Sequence, residues 1–120
     1  MTRILIVEDN PLNLRLMETI LKANGLEYAS APDGETAVLL AGTEKFDLIM
    51  MDLQLPGIDG YEALKQIRTS TTGADLPIVA ITGNTTHADQ QRARDAGFDG
   101  FLKKPFRIDD LLTVIRKGLE

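Results

Sequence analysis

Three observations predict an α/β fold, a single domain with a doubly wound parallel sheet. Short apolar runs without alternation recur along the 120 residues, as in strands covered on both faces. Each is followed by apolar residues at helical spacing. Cap and turn residues separate the two patterns, and five strands alternating with five helices imply a parallel sheet between helix layers.

The elements follow in order. Arg3 to Val7 (RILIV) reads as a buried strand. Asn10 and Pro11 supply an N-cap and an N1 proline for a helix with Leu14, Met17, Ile20 and Leu21 on one face, stopping near Asn24-Gly25. Leu26 to Ala31 is a weaker second strand, and Asp33 caps a helix whose Ala37, Val38 and Ala41 face inward. The third strand, about Leu48 to Asp52, ends in a carboxylate rather than a turn residue. Asp59 and Glu62 stand at capping-box spacing for a helix containing Leu64 and Ile67. Ile78 to Thr82 is the fourth strand, and a helix from about Thr86 to Ala96 ends at Gly97. Gly100 to Lys103 is a short fifth strand, leading into a last helix with Ile108, Leu111, Leu112 and Ile115 at core spacing.

Composition limits the function classes. The chain is long enough to bury a core, and 43% apolar with 26% charged residues reads as soluble and globular. No segment approaches the roughly 20 apolar residues of a membrane span, and the start is no signal peptide. Without cysteine there is no disulfide, zinc thiolate or thiol nucleophile, so a reducing cytoplasm is the expected location. A net charge of −5 argues against nucleic acid as a direct partner, because phosphate binding needs a basic face.

In a sheet of this kind ligands bind outside the carboxyl ends of the strands. Those ends carry Glu8 and Asp9 after strand one, Asp52 on strand three, Thr82 on strand four and Lys104 after strand five. If strands one and three are neighbours, three carboxylates crowd one crevice, where like charges repel unless a cation sits among them. A hard divalent ion such as Mg²⁺ suits such a site. Lys104 and Thr82 suit a tetrahedral anion. An acid as nucleophile, a metal, a lysine and a hydroxyl together describe phosphoryl transfer onto Asp52.

These landmarks, the acidic pair in "IVEDN", the aspartate in "MMDLQLPGIDG", the threonine in "AITGN" and the lysine before proline in "LKKPF", come in family order. In them the whole chain resembles the receiver domain of two-component response regulators. The resemblance implies a flavodoxin-like sheet with strand order 2-1-3-4-5. It implies Asp52 as phosphoacceptor for a histidine kinase or phosphotransfer protein, Asp9 as a direct Mg²⁺ ligand, Glu8 as one through water, and the backbone carbonyl of Gln54 as another. Mn²⁺ is the expected substitute for Mg²⁺. Lys104 corresponds to the lysine that pairs with the aspartate and then with the phosphoryl group, and its bond to Pro105 is usually cis in the family. Thr82 and Phe101 match the switch pair, Gly83 leaves an open approach, and Gln54 and Asn84 hold positions that influence the hydrolytic water. The implied product is a non-enzymatic switch, monomer or weak dimer, whose downstream protein partner meets helix four, strand five and helix five.

Plainer roles account for other residues. Lys103 reads as solvated, His87 as an exposed helix-start residue and Asp59 as a cap. Haloacid-dehalogenase-type phosphatases also form an aspartyl phosphate, but they place a second acid where this chain has Gln54, and 120 residues leave no room for a cap domain. A docking module that is never phosphorylated would lack the aspartate or the lysine. The end at Glu120, directly after the last helix, is expected to leave no effector attached, in either a single-domain regulator or a receiver excised from a hybrid kinase or larger regulator. The initiator methionine and the absence of a tag favour the first, of the cell-cycle type. Helix four offers only alanines to the core, which makes it a loosely held element and the expected exit of the signal.

Overall fold

The computed structural model describes residues 2–70, 75–83 and 86–120. Strands β1 (Arg3–Val7), β2 (Glu27–Ala31), β3 (Leu48–Asp52), β4 (Ile78–Thr82) and β5 (Gly100–Lys103) alternate with helices α1 (Pro11–Ala23), α2 (Gly34–Thr43), α3 (Gly60–Arg68), α4 (His87–Ala96) and α5 (Ile108–Gly118). All pairings are parallel, in the order β2-β1-β3-β4-β5. This is the flavodoxin-like arrangement, in one compact body.

The unbroken apolar runs work because each strand serves two cores at once. Leu5, Val7, Ile49, Met51, Ile78 and Ala80 pack with residues of α2, α3 and α4 on one face of the sheet. Their chain neighbours Ile4, Ile6, Leu48, Met50, Val79 and Ile81 pack with α1 and α5 on the other. All five residues of β3 and of β4 are buried. Successive strand side chains point to opposite faces, so no polar residue fits before the strand end.

The caps hold as the sequence indicates, with two differences. Asn10 Oδ1 accepts from the amides of Leu12 and Asn13, Asp33 Oδ1 from Thr36 and Asp59 Oδ1 from Glu62. Glu62 does not visibly complete a capping box; its Oε2 instead accepts from Gln66 Nε2 at 3.3 Å. The second strand begins at Glu27 rather than Leu26, because the Leu26 amide bonds back to Leu21 O and closes the end of α1. Gly97, with φ 110, ends α4 in the left-handed conformation that glycine adopts without strain.

One expected core residue is outside. Ile108 is 55% exposed, whereas Leu111 and Ile115 are buried and Leu112 is half-buried. Ile108 begins α5, and the helix meets the sheet only from its second turn. Spacing assigned it correctly to the apolar stripe, but a stripe does not show where its support ends.

A polar clasp holds the opposite edge of the sheet. Asp99 Oδ2 accepts from the Ile78 amide and from Arg68 Nη2, each at 2.9 Å. Arg68 also donates to the carbonyls of Leu76 and Gly97. One guanidinium thus joins the end of α3, the entrance of β4 and the turn after α4. Asp99→Ala strips the Ile78 amide of its acceptor and releases part of this fork. It should cost about 2 kcal/mol, the usual penalty for such a broken charged hydrogen bond. Urea denaturation reads this as a lower midpoint at unchanged slope; an unchanged midpoint would show that the clasp adds no stability.

Candidate functional site

The sheet order makes β1 and β3 neighbours, with Val7 beside Met51. The next residue along each strand, Glu8 and Asp52, therefore emerges at the same carboxyl edge. The Glu8 amide is tied to Ala31 O, and the Leu53 amide to Ile81 O, so the backbone at Glu8 and just past Asp52 is bonded to the neighbouring strand. Glu8 is 1% and Asp52 2% exposed, while Asp9 stands open to solvent. One carboxylate oxygen from each of the three lies within 4.8 Å of the others.

Lys104 reaches this group from the far side. Its Nζ lies 2.6 Å from Asp52 Oδ2 and 3.0 Å from Glu8 Oε1. It follows β5, two strands away from β3, and the bond to Pro105 is cis. Its own amide donates to Thr82 O at 2.8 Å, which ties it to the end of the intervening strand. The other carboxylate oxygens accept from loop amides: Asp52 Oδ1 takes the Gln54 amide at 2.8 Å and Glu8 Oε2 the Asn10 amide at 3.2 Å.

One lysine does not balance three acids. Burial, reinforced by the hydrogen bond and the charge of Asp52, pushes the Glu8 carboxyl up to about 7. Lys104 and the Asn10 amide pull it the other way without prevailing. Burial works against the charge of Lys104, but its bonds to Asp52 and Glu8 outweigh that and hold its pKa above the ordinary value. Glu8 Oε1 is buried with the ammonium nearby but no well-directed hydrogen bond. An under-satisfied oxygen among hard carboxylate donors fits a divalent ion of the Mg²⁺ type, which takes few protein oxygens and keeps water.

Thr82 is 2% exposed at the end of β4. Phe101 lies half-buried on β5 opposite Ala80 and packs with the core on the α2, α3 and α4 side. Alternation places Thr82 on that same face, one step diagonally from the ring. Gln54 is exposed on the loop after β3, beside Asp52. Asp9, Glu8, Asp52, Gln54, Thr82 and Lys104 thus gather at one edge, with Phe101 behind Thr82. Asn84 lies outside the described residues. A side chain at Gly83 would meet nothing within 4 Å, so the approach there is open. Lys103 and His87 are exposed, and Asp59 is a cap.

A neighbouring feature had no signal in the sequence. A cavity of about 170 Å³ beside the edge is lined by Gln54, Asp59, Tyr61, Thr82, Asp89 and Arg92 among others. The Arg92 guanidinium lies 4.2 Å from the centroid of the Tyr61 ring, which in turn meets Phe98 edge-on at 5.6 Å. Ala93 is the only buried residue of α4. One small buried side chain and one stacked cation thus help to seat the helix, and the sequence suggested only the first.

Comparison with known proteins gives a consistent picture. The response regulator receiver domain family matches residues 4–116. The polar-differentiation response regulator DivK of Brucella anthropi is 32% identical over 116 residues, covering 97% of this chain and 94% of DivK. The sensor histidine kinase GacS of Pseudomonas protegens is 38% identical over 118 residues, and there the match spans 96% of this chain but only 13% of the kinase. The receiver domain of sensor histidine kinase PA1611 from Pseudomonas aeruginosa superposes with a TM-score of 0.91 at 36% identity, covering 98% of this chain and 97% of that one; its crystal structure has a magnesium ion coordinated in the active-site cleft. The chemotaxis regulator CheY4 of Vibrio cholerae superposes with a TM-score of 0.94 at 29% identity, covering 99% of each chain. Among the described residues no helix is long and apolar enough to cross a membrane.

The raised Glu8 carboxyl has a measurable signature. An unfolded glutamate loses its proton near 4.5, and folded Glu8 keeps it to about 7. Between those values the folded state binds the extra proton, so stability falls as pH rises through the window and levels off above it. Thermal unfolding in a chelator from pH 5 to 8 should show this decline, and Glu8→Gln should flatten it. An equal slope in both proteins would assign the proton elsewhere.

Proposed function

Because the chain belongs to the response regulator receiver domain family, we propose that it is a phosphorylation-dependent switch in which Asp52 accepts a phosphoryl group from a histidine of a kinase or phosphotransfer protein. The observation that carries this reading is the buried Asp52 carboxylate at the end of β3, with Lys104 Nζ at 2.6 Å and two further acids in reach. A strand end of this kind offers a nucleophile sheltered from bulk water and a fixed cation beside it, beneath a polar rim that is open to solvent.

In the transfer, an Asp52 carboxylate oxygen attacks the phosphorus in line. The O–P bond forms as the N–P bond to the donor imidazole breaks, and the electron pair stays on that nitrogen. Asp9, Asp52, the Gln54 carbonyl and, through water, Glu8 would hold Mg²⁺ or substituting Mn²⁺, which when bound supplies positive charge to the phosphoryl oxygens. Lys104, already ion-paired with Asp52, turns its ammonium to the new anion. The Thr82 hydroxyl donates to the same group, and Phe101 fills the space Thr82 vacates. Gln54 and, by its place two residues past Thr82 in the sequence, Asn84 influence the hydrolytic water and the lifetime of the phosphoryl group.

The signal leaves through α4, β5 and the start of α5. A helix with a single buried side chain, Ala93, moves at smaller energetic cost than one anchored by large apolar residues. Lys103, Arg107 and Ile108 give the neighbouring surface exposed charge and apolar area for a protein partner. Residues 1–120 act as one receiver unit, and the chain works in the cytoplasm by contact with proteins rather than by turnover of a substrate. Its relatives include a regulator of similar length and much longer kinases, so both a self-standing regulator and the receiver of a larger protein fit this reading.

Two experiments test these statements. Asp52→Asn should lose all labelling by a small phosphodonor, while Lys104→Ala should still bind Mg²⁺ but no longer couple phosphate to conformation; phosphate found by mass spectrometry on Thr82, Ser70 or His87 would refute the assignment. With a beryllofluoride mimic bound, amide exchange should change across residues 86–101. A change confined to Ala37 and Val38 would place the output elsewhere.

A further inference from the structure

The loop after β3 carries Asp52 at its start, Gln54 two residues on, and the Asp59 cap at its end. Leu53, Leu55 and Ile58 rest half-buried against the core, while Gln54, Pro56, Gly57 and Asp59 are exposed. The loop's shape is also held from outside. Oε1 of Glu35, the second residue of α2, accepts from the Ile58 amide at 2.7 Å, across 23 residues of sequence. The contact is close because glycines permit it. A Cβ on Gly34 would stand 2.7 Å from Ile58 Cγ1 and 2.9 Å from its carbonyl oxygen. Gly57 has φ 76, and a Cβ there would fall 2.5 Å from Glu35 Oε1. At the far end the Gly60 amide donates to Leu53 O, and a Cβ on Gly60 would strike the Asp52 carbonyl oxygen at 2.7 Å.

The loop is thus fixed at its two ends by β3 and α3, and at Ile58, one residue before the Asp59 cap, by one carboxylate from another helix. We infer that Glu35 is a positioning residue for the metal site: by holding Ile58 it sets the path of the loop that carries Gln54. The inference rests on the proposed role of the Gln54 carbonyl as a ligand. A carbonyl on a loose seven-residue loop must be ordered when the ion binds, and that ordering weakens the binding; a loop ordered beforehand avoids it. Glu35 itself touches neither ion nor phosphoryl group. Its position in the first turn of α2 also places a negative charge at the favourable end of the helix dipole, so loss of charge must be separated from loss of the bond.

The two substitutions Glu35→Ala and Glu35→Gln make that separation, since the amide keeps an oxygen that can accept from Ile58 without the charge. Mg²⁺ titration followed by backbone amide NMR gives affinity, and hydrogen exchange of the Ile58 amide in chelator gives loop order without any metal. Glu35→Ala should weaken Mg²⁺ about fivefold, the factor of one lost hydrogen bond of ~1 kcal/mol, and should speed exchange at Ile58. Glu35→Gln should stay near the wild type in both readouts. Asp9→Ala serves as the reference for the site itself. If Asp9→Ala abolishes binding while Glu35→Ala leaves Mg²⁺ affinity unchanged, the inference fails, and a lowered melting temperature would then mark Glu35 as a loop staple only. If Glu35→Gln weakens binding as much as Glu35→Ala, the charge acts and the bond does not, which also overturns it. If Asp9→Ala leaves binding intact, the metal reading fails on its own.

Discussion

The interaction on which the rest of this structure depends is the contact of Lys104 with Glu8 and Asp52. Two carboxylates with almost no solvent exposure are costly unless a cation compensates them. The chain supplies that cation from β5, so the site exists only when the sheet is assembled from β1 to β5. Lys104 reaches across the end of β4 with its aliphatic stem and brings the ammonium to the acids. Its amide bond to Thr82 O fixes where that stem begins. Glu8, Asp52, Thr82 and Lys104 thus form one constraint: none keeps its geometry if a neighbouring strand slips, because a one-residue slip reverses every side chain.

That constraint also explains the division of labour in the fold. The buried strands alternate between two apolar cores and have no place for polar chemistry along their length. Polar residues collect where the strands stop, and the helices on each face cover the apolar remainder. The compensation at the site is incomplete, with three acids to one lysine, and the lifted Glu8 carboxyl records the imbalance. A site that is over-supplied with negative charge is one that a cation improves.

The elements and the site were legible for the same reason. Apolar runs, caps and glycines act within a few residues, and strand ends are where such runs stop, so Glu8, Asp9, Asp52, Thr82 and Lys104 could be located before any pairing was known. The strand order came from the family resemblance, since periodicity says nothing about which strands are neighbours. Long-range polar contacts left no trace in the sequence. The bond from Glu35 to Ile58, the fork of Arg68 around Asp99 and the stack of Arg92 on Tyr61 join residues far apart and look like ordinary surface charges in the chain. Ile108 was misplaced because a helical stripe records which side is apolar and not how far the neighbouring sheet extends.

The thin seating of α4 bears on how such a molecule diverges. Ala93 is the only one of its ten residues that is buried, so its outward face can be rewritten one position at a time with little loss of stability. The strand ends allow no such freedom, since a change at Asp52 or Lys104 strands a buried charge. Duplicated copies of this gene would therefore retain the buried polar strand ends while the outward face of α4 drifts apart. The arrangement separates what must be inherited unchanged from what selection can vary.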